Sequence, residues 1–153
     1  MKKTLADIAP RTATLYPPPL DAITAGRTKY ALGNAFGLDQ FGVNLTELAP
    51  GAASALRHWH AAEDEFVFVL AGEITLVDDA GAQVLQAGEF VGFKAGVANA
   101  HHFVNRTAAT ARYLEVGTRA PHSDTVHYPD HDLLAAPGPD GRRRLLHNDG
   151  TPY

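Results

Sequence analysis

Between residues 29 and 118 the chain never sustains the apolar period of a helix. Short β-branched and aromatic runs recur roughly every ten residues, each closed by glycine or by a polar turn. Phe66-Val67-Phe68-Val69-Leu70 and Ile74-Thr75-Leu76-Val77 meet around Ala71-Gly72, a hairpin signal, and Asp78-Asp79-Ala80-Gly81 forms a second tight turn. This spacing predicts strands over 29–36, 41–49, 55–60, 65–70, 73–78, 82–86, 90–93, 100–104 and 110–117. Many short strands without intervening helices build an all-β sandwich or a small, mostly antiparallel barrel, whose mouth suits one small ligand.

The remainder of the 153 residues flanks that zone. Residues 1–28 carry Pro10 and Tyr16-Pro17-Pro18-Pro19, which favour an extended arm with at most a short helical turn near its start. Residues 119–153, punctuated by Pro121, Pro129, Pro137 and Pro139, read as a tail packed on the barrel. The formal charge of −4 offers no basic field for nucleic acid, and Arg142-Arg143-Arg144 reads as a solvated patch. With no cysteine, thiolate ligands and disulfides are excluded; this fits a reducing cytoplasm. The basic start at Met1-Lys2-Lys3 lacks an apolar stretch behind it, and the run Phe66 to Ala71 is too short to span a bilayer. The expectation is a cytoplasmic protein with no membrane partner.

Chemistry concentrates in His58-Trp59-His60, Glu65 and His101. Histidines at i and i+2 share one face of a strand, with Arg57 and Trp59 on the other. If Glu65 points inward, Val67 and Val69 follow it by parity, and His101 shares a face with Phe103 on a later strand. Three imidazoles and one carboxylate suit a divalent first-row ion and leave positions for water or substrate. Burying such a set with no charge to organise it would be costly.

At these residues the chain resembles the cupin superfamily. Gly51 through His58, His60 and Glu65 to Gly72 is similar to its first motif, Gly to His-x-His, x4-Glu, x6-Gly, with one extra residue after Gly51. Gly88, Gly96, His101 and Asn105 resemble the second, with Lys94 where proline is usual and Asn99 where strict spacing would put the histidine. A two-residue extension of that turn assigns the third-histidine role to His101, with His102 as the competing assignment. The resemblance spans residues 41–117. It implies a double-stranded β-helix, the jelly-roll barrel, with an N-terminal arm and a C-terminal tail. It also implies one divalent metal ion (Zn, Fe, Ni or Mn) at His58, His60, Glu65 and His101, and a homodimer. The flanking segments are similar to a bacterial branch of small cupins, some carrying the label sugar-phosphate isomerase.

Other residues admit plainer roles. Glu63 and Asp64 read as loop-surface acids, Trp59 as outward packing, Asn105 as a turn-former, and His122, His127, His131 and His147 as surface histidines. Tyr30, Arg112, Tyr113 and Glu115 reach the lumen only under one strand parity. Arg57, Lys94, Arg106 and Arg119 could clamp an anion at the mouth. Two functions fit: a metalloenzyme performing isomerase- or oxygenase-type chemistry on a small polar metabolite, or a non-catalytic module that binds or senses one. An isomerase needs a general base besides Glu65, and no second carboxylate is clearly placed. The Pro-rich arm is the natural candidate for exchange between subunits.

Overall fold

The computed structural model describes all residues, 1–153. Twelve strands form, every pairing antiparallel: β1 (Arg27–Ala31), β2 (Phe41–Leu48), β3 (Trp59–His60), β4 (Glu65–Ala71), β5 (Glu73–Asp78), β6 (Gly81–Gln86), β7 (Phe90–Phe93), β8 (His102–Val104), β9 (Ala111–Thr118), β10 (Val126–Tyr128), β11 (Leu133–Pro137) and β12 (Arg143–Leu146). They assemble as β1-β2-β9-β4-β7, β6-β5-β8 and β12-β11-β10-β3. This is an all-β jelly roll, as the residue pattern and the resemblance both imply.

Register across the large sheet determines what the barrel contains. Arg27, Leu48 and Ala111 lie level with one another; Lys29, Thr46, Tyr113 and Val69 form the next row. Ala31, Asn44, Glu115 and Val67 follow, then Gly42, Gly117 and Glu65. Because strand residues two apart share a face, all four rows point inward. Val67, Val69, Leu48, Ile74, Phe103 and Tyr113 are almost wholly buried and form the main core. The interior therefore runs from apolar packing through Asn44 and Glu115 to a glycine-flanked carboxylate. Phe103 is 2% exposed in that core, so Phe103→Ala is expected to cost about 3–5 kcal/mol. Urea unfolding followed by circular dichroism checks this; a cost below 1 kcal/mol would contradict the packing.

The β4–β5 hairpin turns at Gly72, whose φ of 75° disfavours a side chain. A Cβ there would meet the Ala111 Cα at 3.1 Å, so this glycine also lets β9 pass close by.

Two local expectations are corrected, and the tail gains strands of its own. The first predicted strand stops at Ala31, because Gly33–Phe36 closes into a 3-10 turn. The arm contains two such turns, Leu5–Asp7 and Leu20–Thr24, rather than one near its start. The tail supplies three strands, with β10 pairing directly on β3. Those segments lack a long apolar alternation, and a strand of three residues gains its stability from its neighbours rather than from propensity. Arm and tail share a second core in which Leu56, Val126, Tyr128, Leu133 and Ala135 pack against Tyr16, Leu20 and Ile23. The arm lies on its own barrel, bridged at Arg11 to Lys29.

Candidate metal centre

His58 and His101 exchange both backbone hydrogen bonds, His58 N–H to His101 O at 3.1 Å and His101 N–H to His58 O at 2.8 Å. Such directly opposed residues project to one side, and their rings lie 5.3 Å apart. His60, two residues on, follows His58 onto the same face, with ring centroids 5.2 Å apart. Glu65 opens β4 on the inner face ahead of Val67 and Val69, and donor atoms of His58, His60 and Glu65 all lie within 4.8 Å of one another. His101 joins from the side, its Nε2 3.1 Å from Glu65 Oε2 and its ring stacked on Phe93 at 3.4 Å. His102 is not in the group that converges on Glu65; its Nδ1 lies 2.9 Å from the Ala55 carbonyl, at another part of the cavity wall.

Each Nδ1 in this set points at an oxygen acceptor: His58 at Leu56 O (2.8 Å), His60 at Asp124 Oδ2 (2.8 Å) and His101 at Asn99 O (3.2 Å). An N–H donated there by His58 and His60 would leave their Nε2 atoms with a lone pair, the arrangement that orients metal-ligating histidines, whereas the His101 Nε2 lies against the Glu65 carboxylate. Burial pushes His58 down to about 3, with neighbouring His60 and His101 adding to the effect, so its imidazole is neutral near pH 7. Burial works against the Glu65 charge. The hydrogen bond from His101 and the surrounding histidines outweigh it and hold that carboxyl below its ordinary range. Imidazoles around an ionised carboxylate are a donor set that fits a divalent cation.

Asp124 was invisible from sequence, lying 64 positions from the histidine it orients. It is 1% exposed and also accepts from the Ala62 N–H at 2.9 Å and from Arg143 at 2.6 Å. Arg143 bonds Glu63 as well, at 2.8 Å. Neither Arg143 nor Glu63 is the solvated group expected: Glu63 accepts the Ala120 N–H, and both line the cavity beside the histidines. Arg143 bridges Glu63 and Asp124, and Asp124 in turn accepts from His60 Nδ1, so this cluster ties the His60 ring to the tail. Asp64 likewise lines the cavity while accepting from the Ala95 N–H.

The cavity in front of His58, His60 and Glu65 measures about 290 Å3. Its wall carries the second carboxylate that sequence could not place. Glu115 takes both oxygens to Lys29 Nζ, at 2.9 and 3.0 Å, and accepts from Asn44 Nδ2 at 3.2 Å. Tyr113 shares the inward parity but is fully buried, whereas Arg112 turns outward to Glu47. Tyr30 alternates away from the inward-facing Lys29. A second recess of about 250 Å3 reaches His60, Glu65 and His101 from the Trp59, Phe93 and Lys94 side. Trp59 stacks on His127 at 4.2 Å, tying β3 to the tail. Of the cations expected at the mouth only Arg119 lines the main cavity, while Lys94 borders the second recess. Arg57 instead pairs with Asp79 and Asp130.

Comparison with known proteins agrees with this architecture. The Cupin domain family profile matches residues 44–117. A solved structure described as a sugar phosphate isomerase of the cupin superfamily, from Silicibacter pomeroyi, is 44% identical, with TM-score 0.94 over 100% of this chain and 96% of that one. A candidate sugar phosphate isomerase from Acidithiobacillus ferrooxidans is 31% identical, with TM-score 0.74 over 83% and 80% of the two chains. The polyketide cyclase RemF from Streptomyces resistomycificus is 26% identical, with TM-score 0.62 over 77% and 79%. The curated proteins contain no match. Near-complete overlap with the first of these, on a jelly roll with histidines and a carboxylate in its lumen, means that this chain belongs to the cupin superfamily.

Proposed function

We propose that His58, His60, Glu65 and His101 hold one divalent metal ion, and that the chain is a metalloenzyme acting on a small polar metabolite by isomerase-type proton transfer. The observation that carries this reading is the convergence of three imidazoles on an ionised Glu65, each with an oxygen acceptor facing its Nδ1. When bound, the ion supplies Lewis acidity toward a carbonyl or hydroxyl oxygen. Glu115, free of any ligand role in this scheme, is the general base an isomerase requires. It takes the proton from the hydroxyl-bearing carbon beside a carbonyl and returns it to the former carbonyl carbon, the hydroxyl proton passing to the former carbonyl oxygen, while Lys29 and Asn44 hold the Glu115 carboxylate in place. Two similar proteins described as a sugar phosphate isomerase or a candidate for one favour proton transfer over oxygen chemistry.

Elemental analysis of untagged protein tests the ion directly. Stoichiometric metal is expected in the parent and in His102→Ala, with loss of most of it in His58→Ala and His101→Ala. Full loading of the His58→Ala protein would end this reading. A non-catalytic binding module would load metal yet never exchange solvent deuterium into a bound hydroxycarbonyl compound.

A further inference from the structure

Four cationic side chains line the main cavity: Arg27, Lys29, Arg119 and Arg143. Three are accounted for without any ligand. Lys29 is bonded to Glu115, and Arg143 to Glu63 and Asp124. Arg119 sits at the exposed rim and donates to Leu38 O and Asn34.

Arg27 is different. It is 8% exposed, and no carboxylate lies within ion-pair reach. Nη1 donates to Ser54 O at 2.6 Å and Nη2 to Ala13 O at 3.3 Å, both neutral carbonyls, while Nε is buried with no partner. The other buried side-chain atoms without a partner, Thr46 Oγ1 and Tyr113 OH, belong to the adjoining inward row. A buried charge lacking a counter-ion is costly and rare unless something pairs with it. A guanidinium presents a planar fork of donors that matches a carboxylate or a phosphate. In a cavity of about 290 Å3 shared by Arg27 and His58, one compact ligand can touch both.

We propose that Arg27 is the anion-binding end of this cavity, taking the oxyanion (carboxylate or phosphate) of a small ligand whose other end reaches His58, His60 and Glu65. The proposal rests on the reading above, that this cavity is the substrate site, and adds the class of substrate: a small polar metabolite with one terminal oxyanion.

The test uses the full chain stripped of metal with chelator, so that it stands or falls separately from metal loading. Inorganic phosphate and acetate are titrated in parallel by calorimetry; the anion that binds tells a phosphate ligand from a carboxylate one. One-to-one binding of at least one anion is expected, weakened ten- to a hundredfold in Arg27→Met and less in Arg27→Lys, which keeps the charge but not the fork. Should the Arg27 variants fail to fold, the parent protein supplies its own readout, because saturating anion must move the buried Arg27 Nε–H resonance. No binding of either anion, equal affinity in Arg27→Met, or an unmoved resonance each overturns the proposal.

Discussion

Asp124→Asn should weaken metal binding about 10–100-fold and destabilise the fold by about 2–4 kcal/mol. Both effects come from one buried carboxylate with three donors: His60 Nδ1, the Ala62 N–H and Arg143. Removing the charge takes away what orients the His60 ring and leaves Arg143 with Glu63 alone. Burial opposes the Asp124 charge, but those hydrogen bonds outweigh it and hold the carboxyl below its ordinary 3.8. A folded-state value below the unfolded one stabilises fully above about pH 4, and this stabilisation disappears as pH falls through the folded value. Metal titration with a competing chelator, with denaturant unfolding at pH 7 and at pH 3, reads both consequences. Parent and Asp124→Asn should differ at pH 7, and the difference should begin to shrink once pH falls below 3.8. Unchanged metal affinity would show that Asp124 serves the fold alone.

Glu115→Gln should lower turnover about 10²–10⁴-fold while metal content stays at one per chain. The amide preserves the shape of the side chain, and its oxygen can still accept from Lys29 and Asn44, but the second bond to Lys29 and the ion pair are lost along with the basic oxygen. The clean readout is deuterium incorporation from solvent at the carbon next to a carbonyl, followed by proton NMR, because it reports proton abstraction even without net turnover. Lys29→Met should reduce the same exchange less severely, since it disturbs the Glu115 carboxylate without removing it. Exchange in Glu115→Gln at the parent rate would remove Glu115 from the chemistry and leave the acidic groups beside His60, Glu63 and Asp64, as the next ones to examine.

Local pattern placed two strands to the residue. The predicted ranges 73–78 and 90–93 coincide with β5 and β7, and parity from Glu65 through Val67 and Val69 holds, both valines being fully buried. His58 and His60 converge for the same reason, since period-two alternation is a property of backbone geometry that operates over two residues. The same rule left Glu115, Tyr113 and Arg112 undecided. A strand's parity says which residues share a face, but which face meets the lumen depends on its neighbours. Pairing β9 with both β2 and β4 decided it, levelling Glu115 with Asn44 and Val67.

What the linear order of residues established here is the all-β character of the chain and the candidate set His58, His60, Glu65 and His101, because alternation, turn glycines and motif spacing act over a few residues. What folding alone decided is how that set is held and what it faces. Asp124 and Arg143 arrive from the tail, Arg27 and Lys29 from the start of the barrel, and Glu115 from the central strand β9 beside β4. Charged groups so distant along the chain meet only when β3 pairs with β10 and β2 with β9. A hydrogen bond of 2.8 Å across 64 residues leaves no trace in spacing, because the energy that favours it exists only after the intervening chain has been packed.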